Sequence, residues 1–218
     1  MTDRAQLVVL AKRPVPGRVK TRLTPPYTPS EAAELAAAAL DDTLRAVAAT
    51  PAADRVLALD DVRQGPWDGR ARGFGVVPQR GDGLDERLAW AFEDVHRRRP
   101  VPVVLVGMDT PQLTPALLQR AAVALRGYDA VFGPATDGGF WLLGLRRPDP
   151  ALLLGVPMSS PGTGRAQLGR LREAGLDVAV LPSLTDVDDA ADARLVAGLA
   201  PGTRFAATLA RLGAGAAG

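Results

Sequence analysis

The sequence predicts an α/β protein built on one mainly parallel sheet with helices on both faces. Apolar runs alternate with amphipathic stretches almost from end to end of the 218 residues. The runs are continuously apolar rather than alternating, as strands buried on both faces are. An apolar fraction of 47% is enough to fill a core. There is no internal repeat and no linker long enough to demand a second domain. One domain over residues 1–212 is therefore expected, with 213–218 a flexible tail.

The elements follow in order. Gln6–Ala11 reads as a buried strand and Ser30–Ala49 as an Ala-rich helix capped by Ser30. Arg55–Leu59 and Gly75–Pro78 are short apolar strands, and Gly83–Arg98 is a helix after them. Val101–Gly107 is the clearest buried strand, a Val/Leu run closed by glycine, and Pro115–Arg126 is the helix that follows it. Asp129–Gly133 and Phe140–Leu145 are strands, Gly164–Ala174 is a helix and Asp177–Leu181 is the last strand. Helices from about Ala190 and Thr203 finish the chain. Right-handed crossovers in such a pattern bring the strand-to-helix loops together at the carboxyl edge of the sheet.

Composition removes several chemistries. With no cysteine there is no disulfide, thiolate nucleophile or cysteine zinc site, and a single histidine, His96, rules out a multi-histidine metal centre. His96 itself reads as an exposed helix residue beside a solvated charge run. No apolar stretch is long enough for a membrane span and Met1–Arg4 does not begin a secretory signal, so a cytoplasmic protein without a membrane partner is expected. The net charge is +2, with acids and bases mixed along most of the chain, which argues against a nucleic-acid partner.

One segment departs from that mixing. Lys12, Arg13, Arg18, Lys20 and Arg22 fall between positions 12 and 22 without an acid, and the two lysines are the only ones in the chain. Pro14 and Pro16 favour extended backbone and Gly17 allows a turn. Cations crowded after the first buried strand suit phosphate groups, with Arg for bidentate contacts and Lys as a mobile point charge. The spacing is not that of a Walker loop. The alternative is a solvated basic loop, contacting RNA if anything.

Two acidic loops complement it. Asp109, in Gly107-Met108-Asp109-Thr110-Pro111, follows the clearest strand, and hard carboxylate oxygen there suits Mg²⁺ or Mn²⁺ bridging to a phosphate. Asp186 and Asp188 are two apart after the last strand and share a side if the backbone is extended, so they are further candidate metal ligands. Asp189 and Asp192 read as cap and first turn of the next helix. Asp137, in Asp137-Gly138-Gly139-Phe140, either contacts an acceptor or organises a turn whose glycines admit a ligand. Gly81 and Asp82, in the stretch Gln79–Leu84, would hold a nucleoside or simply enter a helix. Trp67, Trp90 and Trp141 read as packing residues rather than stacking platforms.

These loops resemble the glycosyltransferase A (GT-A, nucleotide-diphospho-sugar transferase) superfamily, and more narrowly the family of unknown-function type 2064, related to 2-phospho-lactate guanylyltransferase. The resemblance rests on Ala11-Lys12, Pro16 to Leu23, Gly107 to Pro111, Gly133 to Phe140 and Asp186-Val187-Asp188. It implies a single-domain Rossmann-like GT-A fold with a basic loop over the nucleotide phosphates. It further implies that Asp109 binds metal and that Asp186 and Asp188 make further metal or substrate contacts. Met158-Ser159-Ser160 departs from the Trp-Ser/Gly-Thr of relatives, and the Leu-x-Ala-Gly-Gly-x-Gly-x-Arg-Met loop of sugar nucleotidyltransferases is missing.

Three readings follow. In nucleotidyl transfer a phosphorylated small molecule attacks the α-phosphate of an NTP, with Lys20 and Asp109 at the reacting phosphates and no protein nucleophile required. In glycosyl transfer the donor is an NDP-sugar and Asp137 is the candidate base. The third is a nucleotide- or RNA-binding protein without turnover. Five cations favour the first, whose partners are a nucleotide and a small-molecule acceptor.

Overall fold

The computed structural model describes residues 4–61 and 71–215, so Trp67 lies outside the described residues. The elements run β1 (Gln6–Ala11), α1 (Pro29–Ala48), β2 (Asp54–Leu59), β3 (Gly75–Pro78), α2 (Leu84–Arg98), β4 (Val103–Val106), α3 (Pro115–Ala124), β5 (Ala130–Pro134), β6 (Phe140–Leu145), α4 (Thr163–Glu173), β7 (Val178–Val180), α5 (Ala190–Leu199) and α6 (Arg204–Gly215). Helix α6 thus continues past Gly213, where the tail was expected to begin, while residues 216–218 lie outside the described part.

The strands form one sheet in the order β3-β2-β1-β4-β6-β5-β7. All pairings are parallel except those of β6, which runs antiparallel to both β4 and β5. The expected fold is present: a mainly parallel sheet with helices on both faces. Successive side chains of β1 point to opposite sides. Leu7 and Val9 pack with Leu40 and Leu44 of α1 and Leu118 of α3. Val8 packs on the other face with Leu88 and Phe92 of α2 and Leu171 of α4. A second stripe of α1, including Leu35 and Ala39, buries Phe205 of α6 and Val196 of α5.

Two local expectations are corrected. Helix α1 is capped by Thr28, not Ser30. The Thr28 hydroxyl accepts from Glu31 N at 3.3 Å and the Glu31 carboxylate accepts from Thr28 N at 2.7 Å, a reciprocal box that Ser30, inside the first turn, cannot make. His96 is half-buried rather than exposed, and its Nδ1 lies 3.0 Å from Val101 O in the link between α2 and β4. Trp141 is buried with Nε1 donating to Pro182 O, and the Arg80 guanidinium lies 5.1 Å from the centre of the Trp90 ring, so neither ring is an open stacking platform.

The start of α6 is capped from a distance. The buried Asp42 carboxylate of α1 accepts from Arg204 N at 3.0 Å and from Phe205 N at 2.8 Å. A carboxylate there answers two N–H groups that no intrahelical carbonyl can reach, and it lies at the favourable end of the helix dipole. Asp42→Ala is expected to lower stability by about 1–2 kcal/mol, read as a lower urea midpoint with an unchanged slope.

Candidate functional site

Because β1 and β4 are parallel neighbours, the loops that leave their carboxyl ends start side by side. The chain after β7 returns to the same edge through an isolated pairing of Ala135 with Leu184. There Val187 N donates to the main-chain oxygen of Asp109 at 2.9 Å. The basic loop and both acidic loops therefore meet.

Lys20 is the centre of that meeting. Its Nζ lies 2.7 Å from Asp109 Oδ1 and 3.5 Å from Asp188 Oδ1, and it also donates to Val187 O. Its side chain is only 9% exposed. Burial opposes the charge, but Asp109 first, then Asp188 and Asp186, outweigh it and hold the ammonium above its ordinary pKa of 10.5. To reach this position Lys20 takes left-handed backbone geometry, φ 48° and ψ 40°, immediately before a 3₁₀ turn at Thr21–Leu23. Ser159, φ 55°, is the other non-glycine with positive φ among the described residues, and it lines the same cavity. Left-handed geometry in side-chain-bearing residues persists where surrounding contacts impose it, commonly at functional sites.

The cavity has a volume of about 790 Å³, within the range of small-molecule sites. Lys12, Arg18, Lys20 and Arg22 line it, as do Asp109, Asp137, Asp186 and Asp188. Asp186 is half-buried with Oδ1 lacking a hydrogen-bond partner. Burial, then the neighbouring Asp109 and Asp137 charges, push its pKa from 3.8 to about 7. Arg22 reaches Asp188 Oδ2 at 3.3 Å. The side chains of Lys12 and Arg18 make no hydrogen bond or ion pair with any described residue. The basic loop is thus not uniformly without counter-charge: Lys20 and Arg22 draw on carboxylates far away in sequence, and Lys12 and Arg18 remain to meet an anion.

Other expected residues are not brought to the cavity wall. Arg13 turns toward the end of β2, where its N donates to Asp60 Oδ1 at 2.8 Å and its Nε to Asp61 O at 3.4 Å. Gly17, φ 73°, serves the turn in which Arg18 N meets Val15 O. Gly81 and Asp82 are engaged by α2, whose Glu86 carboxylate accepts from Asp82 N at 2.8 Å. Gln79 of that stretch does line the cavity. Its Nε2 donates to Ala11 O and Ala58 O, which fixes the amide across the ends of β1 and β2.

Of the two glycines after Asp137, Gly139 lines the cavity, whereas Gly138 does not open a path for a ligand. A Cβ on Gly138, φ +89°, would lie 2.1 Å from Pro161 O, and Gly164 N donates to Gly138 O at 2.8 Å. Gly138 lets the start of α4 pack on the turn. Asp137 Oδ1 accepts from Gly139 N at 2.8 Å, so this carboxylate organises the turn and also lines the cavity. Met158 and Ser160, of the motif that departs from relatives, line it too, as does Arg87, which no motif in the sequence marks.

The donors can be tested against Mg²⁺ or Mn²⁺. Carboxylate oxygens are hard ligands, and the buried, unpartnered Asp186 Oδ1 is an oxygen still needing a partner. Among the described residues, however, no three acidic or histidine side chains converge into a ready cage. The expected cage of Asp109, Asp186 and Asp188 is not formed, because the Lys20 ammonium stands between Asp109 and Asp188. This donor set fits an ion held by one or two carboxylates and completed by substrate phosphate, the usual habit of Mg²⁺. No helix among the described residues is long and apolar enough to cross a membrane.

Residues 43–160 match the family model described as an uncharacterized protein conserved in bacteria, DUF2064. A phosphoenolpyruvate guanylyltransferase of Streptomyces coelicolor is 35% identical over 199 residues, 89% of this chain and 92% of that one. A crystal structure from Desulfovibrio desulfuricans G20, named as a candidate nucleotide-diphospho-sugar transferase, superposes with a TM-score of 0.87 at 28% identity. The match covers 98% of this chain and 96% of that one. Rv0371c of Mycobacterium tuberculosis, in complex with manganese, shares the fold at a TM-score of 0.54 and 23% identity, over 88% of this chain and 97% of that one.

Proposed function

The chain belongs to the DUF2064 family, and on that premise we propose that it transfers a nucleotidyl group from an NTP, with GTP the first candidate, to a small phosphorylated acceptor of the phosphoenolpyruvate kind. The observation that carries this reading is the cavity in which two uncommitted cations, Lys12 and Arg18, face a carboxylate cluster joined by Lys20.

In this reaction an oxygen of the acceptor phosphate attacks the α-phosphorus. A new P–O bond forms, the α–β bridge breaks, and pyrophosphate leaves with the electron pair. Positioning and charge neutralisation do most of the work, which suits a chain with no cysteine and a histidine outside the cavity. Lys12 and Arg18 bind the β- and γ-phosphates. The Gln79 amide, oriented by Ala11 O and Ala58 O, presents a fixed edge toward the nucleoside. Asp109 and Asp186 would hold the divalent ion, with Asp188 beside them. The ion would supply Lewis-acid neutralisation of the phosphates.

Thermal-shift measurements with NTPs and NDP-sugars, each with and without Mn²⁺, test the donor. A ligand at a hundred times its Kd stabilises by about 2.7 kcal/mol, which raises Tm by roughly 5–10 °C for a chain of this size. The reading expects that shift with GTP and Mn²⁺ together. A shift confined to NDP-sugars would contradict it and favour glycosyl transfer. That second reading is supported by the likeness to the Desulfovibrio structure and by Asp137, a carboxylate at the cavity wall placed to serve as an acceptor base.

A further inference from the structure

Lys20 presents a conflict that the transfer chemistry does not resolve. The oxygens its ammonium holds, Asp109 Oδ1 at 2.7 Å, Asp188 Oδ1 at 3.5 Å and Val187 O, are the hard oxygens a divalent ion would seek. An ammonium and a divalent ion on the same carboxylate oxygen would sit within a few ångströms and repel strongly, all the more where water is scarce. The two cations cannot hold those same oxygens at once.

We propose that Lys20 is a placeholder cation: it closes the Asp109–Asp188 pair to a free divalent ion, and it moves onto phosphate when ion and nucleotide arrive together. This rests on the nucleotidyl-transfer reading above and adds an order of binding to it. The backbone supports a two-position residue. Lys20 is held in left-handed geometry that side-chain-bearing residues avoid, and its contacts to three oxygens maintain it. Releasing those contacts also relieves the backbone. The destination is present as well, since Lys12 and Arg18 line the same cavity and would bring a phosphate chain within reach. Arg22, whose side chain is 76% exposed, stays on Asp188 and keeps that carboxylate from being left without a cation. The device excludes unproductive metal binding and makes the metal–nucleotide complex the species that is recognised.

The test is Mn²⁺ affinity without nucleotide, read from the electron paramagnetic resonance of the free ion. Lys20→Met and Lys20→Gln are expected to bind Mn²⁺ at least about tenfold more tightly than wild type, while Arg98→Gln, on the exposed end of α2, binds as wild type does. Variants that keep the wild-type circular dichroism but bind Mn²⁺ no more tightly overturn the proposal, because a static brace would behave that way. A second measurement needs no substitution. The chain has two lysines, so lysine labelled with ¹³C at Cε gives two side-chain signals for nuclear magnetic resonance, assigned with Lys12→Arg. The Lys20 signal should stay in place with Mg²⁺ alone and shift when Mg²⁺ and a non-hydrolysable GTP analogue are added together. A signal that shifts equally with Mg²⁺ alone, or stays in place in the complex, overturns the placeholder role. Absence of any thermal shift with the analogue and Mg²⁺ overturns the transferase reading and this one with it.

Discussion

Asp109→Asn is expected to lower the rate of nucleotidyl transfer by about 10²–10³-fold while the protein still folds. The side chain does two things at the cavity: it holds the Lys20 ammonium at 2.7 Å, and it offers hard carboxylate oxygen at the cavity wall. Asparagine keeps the shape and removes the charge. The contact that ties the two acidic loops, Val187 N to the main-chain oxygen of Asp109, does not depend on the side chain and should survive. Lys20 keeps Asp188 and Val187 O, so the loss of stability is modest. The check is steady-state kinetics with circular dichroism on the same sample. A large fall in kcat with an unchanged spectrum is the expected result, and unchanged kcat would remove Asp109 from the reacting centre.

Asp186→Asn is expected to stabilise the ligand-free protein at pH 8 and to leave it nearly unchanged at pH 4. The wild-type carboxyl is raised from 3.8 to about 7, so between those values the folded state holds a proton that the unfolded state has released. Stability therefore falls as pH rises through that window, by up to about 4 kcal/mol if the whole rise is expressed. Asparagine imitates the protonated form and removes the slope. Tm measured from pH 4 to 8 should decline in wild type and stay flatter in the variant. Transfer should fall steeply in the variant at every pH, because a neutral amide is a poor ligand for a hard cation. Equal pH slopes in the two proteins would contradict the burial and crowding of Asp186.

Much of this site was readable because strands buried on both faces announce themselves as unbroken apolar runs. Asp109 and the basic loop follow such runs directly, and parallel neighbours put their ends together. The reversal of β6 was also present in the sequence, in the short gap between Gly133 and Phe140. A parallel crossover needs a dozen or more residues, so so brief a link can only be a hairpin. The Lys20–Asp109 contact had no such signal. It spans 89 positions and depends on a left-handed lysine, which spacing does not show. The two glycines at 138 and 139 differ in a way that spacing does not show either. At Gly138 the group that approaches is Pro161 of the same chain, while Gly139 lines the cavity.

The family relationship and the cavity make a direct assay decisive. GTP, phosphoenolpyruvate and Mg²⁺ are incubated with the protein and followed by ³¹P nuclear magnetic resonance. Pyrophosphate should appear in a one-to-one ratio with a new phosphoanhydride signal joining the guanylyl group to the acceptor. GTP that remains intact, or that yields pyrophosphate with no new phosphoanhydride, while a GDP- or UDP-sugar is consumed in the presence of an acceptor alcohol, would contradict nucleotidyl transfer.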